Sequence, residues 1–427
     1  MKVSGNFKIE ILAVGSELLS PDYADTNSLF LTRRLNELGL QVAYKTVVGD
    51  DADDLLACFR TAVKRADMIF ITGGLGPTRD DLTRETLAAA LGRKLVFLEP
   101  LWKKIQDRFA RRGIKIAEVN RKQAYLIEGA EALENPNGTA PGVWLEAEGR
   151  IFALLPGPPR ELEPMVTTQI LPRLAKKRKG YQVRKVLKIT GLAESDTETL
   201  ISDLYSEKED FQMTVLSAPG QIEIHCTALS SLSATNAEES LHAPVSALLA
   251  RLGEYVFSTS GEELEEVVGR MLAQNGKTLA VAESCTGGLL GDRITDVPGS
   301  SAYFLEGIQA YSNEAKIRRL DVPPNLLDNF GAVSAEVAAC MADNIRSGAG
   351  ADYGLAITGI AGPSGGSREK PVGLVYVALA GPEGTQAEKS LFLGDRRTIK
   401  KRSSQKALDM LRLRLEGKSR RPAAGRG

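Results

Sequence analysis

Histidine is almost absent from this chain: 427 residues contain two, His225 and His242. Both fall mid-chain in stretches of ordinary pattern, so neither a histidine-based catalytic triad nor a His-rich metal site is expected. Cysteine is nearly as scarce. Cys58, Cys226, Cys285 and Cys340 are scattered without a C-x-x-C pair, which argues against a structural zinc site or a disulfide framework and suits a reducing cytoplasm. No apolar run reaches the roughly 18 residues of a membrane span, and MKVSGNFKIEILAVG has no basic start followed by a long apolar stretch, so export and membrane insertion are not expected. Excess charge is missing too. Lys plus Arg and Asp plus Glu number 54 each, so no global field draws the protein to nucleic acid or an anionic membrane.

What is present is alternation of short apolar runs with amphipathic stretches. At 427 residues, two or three domains are expected. Over residues 1–170, KIEILAVG, TNSLFLTRRLNELG, QVAYKTVVG, DADDLLACFRTAVKRA and DMIFITGG read as β, α, β, α and β, which predicts an α/β domain with a mostly parallel sheet covered on both faces. AKKRKG, 175 to 180, reads as a linker. Residues 181–256 shift to a small α+β module that resembles a KH-type arrangement but lacks the RNA-clamping G-x-x-G loop, so nucleic-acid binding is not expected. A second α/β domain is predicted over 258–416, with Ser334 capping one of its helices, and the polar tail 417–427 is expected to be disordered.

In a parallel sheet, ligands sit beyond the carboxyl ends of the strands. There the first domain keeps GSELL, GGLGPTRDD and LPGPPRE. Gly73, Gly74 and Gly76 let backbone approach a ligand closely, and a helix starting near Asp80 offers a phosphate seat. Asp80 and Asp81 either cap that helix or hold a hard divalent cation against phosphate oxygens, with Glu17 and Asn27 at comparable strand ends.

The second domain carries AESCTGG at 282 to 288, read as strand, sharp turn and helix, with Gly287 and Gly288 permitting a tight approach. A helix N-terminus there could stabilise an oxyanion, and either Ser284 or Cys285 could be the nucleophile. A cysteine hydrolase ordinarily has a histidine partner, and this domain has none. Serine needs a base, for which YSNEAK supplies Lys316 or Tyr311. TGIAGPSGGSREKPVG, starting at Thr358 and including Gly362, Gly365 and Lys370, has a composition suited to cradling phosphate.

GSELL, DTNSLFL, TGGLGPTRDDLT and LPGPPRELEPM, in that order, resemble the N-terminal domain of the CinA family, which is similar to molybdopterin-binding domains of three-layer fold. AESCTGG, YSNEAK, TGIAGPSGGSREKPVGLVY and GDRR resemble its C-terminal domain, the PncC-type nicotinamide-nucleotide amidase. The resemblance spans essentially the whole chain. For the first domain it implies hydrolysis of ADP-ribose to AMP and ribose 5-phosphate with a divalent metal (Mg, Mn or Co), Asp80, Asp81 and Glu17 serving the metal or pyrophosphate and Thr78 and Asn27 the substrate. For the second it implies cofactor-free deamidation of nicotinamide mononucleotide by Ser284, with Lys316 as base, Tyr311 and Thr358 lining the site and Arg396 on the phosphate. A homodimer is implied as well. At GDRRTIKKR the family pattern expects an arginine where Lys400 stands, which leaves Arg396, Arg397 and Lys400 as alternative phosphate ligands. Two other readings are a first domain that binds a pterin or nucleotide without turnover, and a competence or DNA-damage factor.

Overall fold

The computed structural model describes residues 7–177, 181–205 and 210–418. Its first domain runs β1 (Ile9–Val14), α1 (Thr26–Glu37), β2 (Val42–Val48), α2 (Ala52–Arg65), β3 (Met68–Thr72) and α3 (Thr83–Ala90). It continues through β4 (Leu95–Phe97), α4 (Glu99–Arg111), β5 (Tyr125–Ile127), β6 (Glu131–Leu133), β7 (Gly142–Ala147), β8 (Arg150–Leu155), α5 (Pro159–Met165) and α6 (Leu171–Lys177). Six strands form one sheet in the order β2-β1-β3-β8-β7-β6. The β2-β1-β3-β8 portion is parallel, and the β7–β8 hairpin turns its far side antiparallel. Every residue of β1 and β3 is buried, as expected of strands covered by helices on both faces. Two apolar cores, one around Phe59, Ile71 and Leu145 and the other around Leu31, Phe70 and Ile170, fill the two faces.

The middle module comprises β9 (Tyr181–Ile189), α7 (Glu194–Ile201), β10 (Phe211–Ala218), β11 (Gln221–Ser230), α8 (Ala234–Leu252) and β12 (Val256–Ser258), with sheet order β10-β11-β9-β12. Strand β10 is an addition to the sequence reading. Its alternating burial marks a strand with one face open, and Phe211, Met213 and Val215 at alternate positions of FQMTVLSA were the available signal. Of the expected linker, residues 175–177 belong to α6 and 178–180 lie outside the described residues, as do 419–427 of the expected disordered tail.

The last domain contains α9 (Leu264–Gln274), β13 (Leu279–Glu283), α10 (Leu289–Thr295), β14 (Phe304–Gln309), α11 (Asn313–Leu320), α12 (Pro324–Phe330), α13 (Ala335–Ala349), β15 (Tyr353–Gly359), β16 (Leu374–Gly381), β17 (Gly384–Leu391) and α14 (Arg396–Leu415). Its sheet order is β14-β13-β15-β16-β17, with β14, β13 and β15 mutually parallel. Ser334 caps α13, accepting from the Val337 N–H. Strand β17 escaped the sequence reading because GTQAEKSL is a polar edge strand. No helix among the described residues is long and apolar enough to cross a membrane.

The middle module is fastened to the last domain by charge. Lys188 on β9 pairs with Glu263 at 2.5 Å, and Arg412 on α14 donates to the Glu254 carbonyl at 2.7 Å. Arg412 is fully buried and also pairs with Asp409 at 2.8 Å and Glu416 at 2.9 Å. Removing one member of such a network strands the other charge in low dielectric. Arg412→Leu should therefore destabilise the chain by about 3 kcal/mol in chemical denaturation, and by much less when Asp409→Leu accompanies it.

Candidate functional site

The parallel register of β13 with β14 and β15 builds the site of the last domain. The Ser284 N–H donates to the Ile357 carbonyl on one side (3.0 Å), and the Ala310 N–H donates to the Glu283 carbonyl on the other (2.8 Å), so the turn after β13 and the start of α11 are held side by side. Ser312 caps α11 by accepting from the Ala315 N–H, which places Lys316 one turn in with its side chain directed at that turn. The Lys316 ammonium nitrogen lies 3.0 Å from Ser284 Oγ, 2.9 Å from the Ala310 carbonyl oxygen and 3.3 Å from the Tyr311 carbonyl oxygen.

Lys316 is 1 % exposed and no carboxylate among the described residues pairs with it, so burial pushes its pKa below the ordinary value of 10.5. A neutral amine has two N–H donors and one lone pair. With both carbonyls as acceptors, the lone pair faces the Ser284 hydroxyl, which is the arrangement of a general base. Cys285 is buried in the domain core, and burial pushes its thiol up to about 12. It stays a thiol near neutrality and cannot act as a thiolate. Of the two candidate bases, Tyr311 takes part through its backbone carbonyl, while its phenol is hydrogen-bonded to Arg396 at 3.0 Å.

One expectation needs correction. The N-terminus of α10 is closed: Glu283, 2 % exposed, accepts from the N–H groups of Gly288 (3.1 Å), Leu290 (3.0 Å) and Gly291 (2.8 Å). The sequence reading passed over Glu283, although an acid ending an apolar strand before a Gly-Gly helix start was the available signal. The N–H groups of Cys285 and Thr286 have no oxygen acceptor among the described residues, so the turn itself, not the helix, offers donors beside Ser284. Gly288 must be glycine here: its φ is +94° and a Cβ would lie 2.4 Å from the Gln309 amide.

The surrounding residues divide. Arg396 and Lys400, one turn apart on α14, share a face: Arg396 donates to the Gly362 carbonyl (2.8 Å) and to Tyr311, and Lys400 Nζ is 3.7 Å from where a Cβ on Gly287 would stand. Arg397 belongs to a different face of that helix. Thr358 lies within β15 and not at a loop start, and its hydroxyl donates to the Ala332 carbonyl at 2.7 Å. Lys370 is tied to the carbonyls of Phe330 (2.7 Å) and Val333 (2.9 Å), so it fastens its loop and is not left free for phosphate. Gly365 sits exposed in that loop.

In the first domain a cleft of about 360 Å³ opens at the carboxyl ends of the strands, with Gly73, Gly74 and Gly76 on its wall and Glu17, Asp50, Asp80, Asp81, Gln123 and Glu161 around it. The glycines are needed by the loop's own packing, since a Cβ on Gly73 would lie 2.1 Å from the Val14 carbonyl oxygen and one on Gly76 2.4 Å from Asp81. The helix starts at Thr83, not Asp80, because Asp81 turns back to accept from the N–H groups of Gly76 and Thr78, each at 2.8 Å, and from the Thr78 hydroxyl. Asp81 is thus a loop clasp, and Thr78 faces it instead of the cleft. Asn27 donates to the Gly157 carbonyl at 2.7 Å and lines a neighbouring small cavity. Asp80 is exposed, and hydrogen bonding from Thr78 holds its carboxyl below the usual range. Asp50, Gln123 and Glu161 were not foreseen, although Asp50 and Glu161 follow strand ends in the sequence.

These donors are all oxygen. Among the described residues no three Asp, Glu, His or Cys side chains are grouped so as to hold a metal by themselves. The set fits a hard divalent ion that takes one or two carboxylates and completes its shell from water and ligand phosphate; it does not fit a zinc-type cage.

Family models match along the chain: "Probable molybdopterin binding domain" over residues 10–176, "Damage-inducible protein CinA KH domain" over 184–258 and "CinA C-terminal domain" over 261–415. A CinA-like protein of Solibacter usitatus is 45 % identical over 415 residues, covering 96 % of this chain and 99 % of its own, and one of Koribacter versatilis is 44 % identical over 415 residues, covering 95 % and 99 %. The crystal structure of a competence/damage inducible protein of Agrobacterium tumefaciens is 37 % identical, covers 36 % of this chain and 97 % of its own, and has a TM-score of 0.35.

The depressed Lys316 has a measurable linkage. The unfolded chain protonates this lysine at its ordinary 10.5, whereas the folded chain holds the proton less well; between the folded and unfolded values the unfolded state binds more protons, so stability rises with pH. Denaturant melts across the range just below pH 10.5 should show the wild type gaining on Lys316→Met as pH rises. A constant difference between the two would mean the lysine is not depressed.

Proposed function

Because this chain belongs to the CinA family, we propose that its two catalytic sites are those the family resemblance implies: an amidase acting on nicotinamide mononucleotide in the last domain and a hydrolase of ADP-ribose in the first. The observation that carries the amidase reading is the 3.0 Å contact between Ser284 Oγ and a buried Lys316 amine with no carboxylate partner among the described residues.

The chemistry then runs on the chain's own groups. Ser284 Oγ attacks the carboxamide carbon while Lys316 takes the hydroxyl proton. The tetrahedral oxyanion faces the N–H groups of Cys285 and Thr286. Collapse breaks the C–N bond, the Lys316 ammonium returns its proton, and ammonia leaves. Water, deprotonated by the same amine, attacks the acyl ester to release the carboxylate and restore Ser284. Arg396 and Lys400 supply the positive charge for the substrate phosphate, Arg396 as a planar fork and Lys400 as a point charge.

In the first domain Asp80 and Glu17, the cleft's exposed acids, are the groups for a divalent ion, with Asp50 and Glu161 beside them. Such an ion, when bound, offsets pyrophosphate charge and lowers the pKa of water. Asp81 contributes by fixing the Gly73–Thr78 loop, and Thr83 by donating to the Gly73 carbonyl at 3.0 Å. A pterin or nucleotide held without turnover is the second reading, favoured by the commitment of Asp81 to its own loop.

Ser284→Ala should abolish ammonia release from nicotinamide mononucleotide, whereas Cys285→Ala keeps most of it. The wild-type rate should climb with pH through a single ionisation below 10.5, since only the neutral amine accepts a proton. Survival of the serine variant would end this assignment. For the first domain, AMP formation from ADP-ribose should stop with chelator and fall by at least about tenfold in Asp80→Ala. Ligand binding without AMP formation at any divalent ion would favour the second reading.

A further inference from the structure

A second cavity of the first domain, a groove of about 530 Å³, lies between α4 and the segment 132–141 that joins β6 to β7. Lys104, Arg108 and Arg111 of α4 line it together with Arg112 just beyond, at i, i+4, i+7 and i+8, which is one side of a helix. None of the four pairs with a carboxylate among the described residues. Asp107 and Glu134 also line the groove, so four cations stand against two acids. Complementing the helix dipole would account for Arg108 and Arg111 in the last turn, but not for Lys104 a turn earlier. Leu133, Pro136 and Pro141 give the same groove an apolar wall. That wall is fastened from both ends. Arg108 donates to the carbonyls of Asn135 (2.7 Å) and Pro136 (2.6 Å), and the Asn135 amide donates to the Ala140 carbonyl and to Glu161, each at 2.8 Å. The groove is therefore shaped before any ligand arrives, and neutral carbonyls leave the charge of Arg108 uncancelled.

We infer that this groove is a binding site, additional to the two proposed catalytic sites, for a phosphate ester with a flat apolar body, the class to which mononucleotides belong. The exposed Lys104, Arg111 and Arg112 meet the phosphate, and the body lies on the Leu133, Pro136 and Pro141 wall. A merely solvated basic face needs no cavity, whereas a groove lined by cations and apolar side chains together suits a ligand of both characters. Inorganic phosphate would use the first part alone and a nucleoside the second alone. Thr139 borders both this groove and the acidic cleft, so the segment that carries it is a wall between two cavities of opposite charge. The groove thus takes an anion with no divalent ion to help it.

The test is equilibrium dialysis of the full chain against AMP, inorganic phosphate and adenosine. Every protein carries Arg396→Gln and Lys400→Gln, which removes the cationic face of the last domain, and chelator is present throughout, which leaves the acidic cleft without a cation. This parent is compared with a form that adds Arg111→Gln and Arg112→Gln and with one that adds Lys104→Gln, all at exposed positions where the melting temperature should not change. The parent is expected to bind AMP at least about tenfold more tightly than phosphate or adenosine, and the double arginine change to lose about tenfold or more of that affinity, with a smaller loss for Lys104→Gln. Added salt should weaken AMP binding to the parent. Arginine variants that melt and bind AMP as the parent does would overturn the inference, as would a parent that binds no AMP. Equal affinity for AMP and phosphate would reduce the groove to an anion seat and overturn the assignment of a nucleotide-like ligand.

Discussion

The last domain is organised around one unfavourable placement, a lysine amine taken almost fully out of water with no counter-ion among the described residues. Burial in this way pushes the lysine's pKa down, and the neutral form it favours is served by two acceptors and one donor in the right directions. The carbonyls of Ala310 and Tyr311 accept from the amine, and Ser284 Oγ stands 3.0 Å from it as the third partner. Each is fixed by something further out. Ala310 is pinned to Glu283, Ser284 to Ile357, and the first turn of α11 to its Ser312 cap. A shift of one residue in the β13–β14 register would swap the face on which these groups emerge and leave the amine facing apolar atoms.

Both strand-loop-helix turns use the same economy. In each, a carboxylate five residues from a glycine closes on that glycine's N–H: Asp81 on Gly76, and Glu283 on Gly288. The acid replaces an external anion at a place where a Gly-rich turn exposes several donors. Turns sealed this way are rigid before any ligand arrives, which favours pre-organisation over a mobile phosphate loop. Recognition then falls to groups left over after the sealing. In the last domain the groups left over are two turn N–H groups and the Arg396–Lys400 face; in the first they are the cleft's exposed carboxylates.

That distinction also sets what the sequence could disclose. Apolar strands such as MIFIT and LAVAE, fully buried in the structure, announce themselves by composition, whereas the residues of the second site leave Ser284 or Cys285 and Lys316 or Tyr311 open and the pairing of Ser284 with Lys316 is what the family resemblance implies. The polar edge strand β17 does not announce itself, because GTQAEKSL matches the pattern of a loop, while the alternation in β10 is a signal the sequence reading passed over. Direction is the other thing a linear reading cannot supply. Asp81, Lys370 and Thr358 are chemically suited to a ligand, yet each side chain turns to its own backbone, and only the three-dimensional path of the loop decides this.

On the reading proposed above, the two sites would meet phosphate by opposite electrostatics within a chain of zero formal charge. Arg396 and Lys400 present positive charge on one face of α14, and Glu283 is buried and fully engaged with three N–H groups, so its charge is spent on the α10 terminus. The first cleft is lined by five carboxylates, so the proposed pyrophosphate ligand needs a divalent ion to offset that charge. The metal requirement proposed for the first domain alone is thus an expectation from charge placement. On that reading chelation would remove the bridge on which the acidic cleft depends, while the serine-lysine site, whose cations are covalently part of the helix, would have nothing to lose.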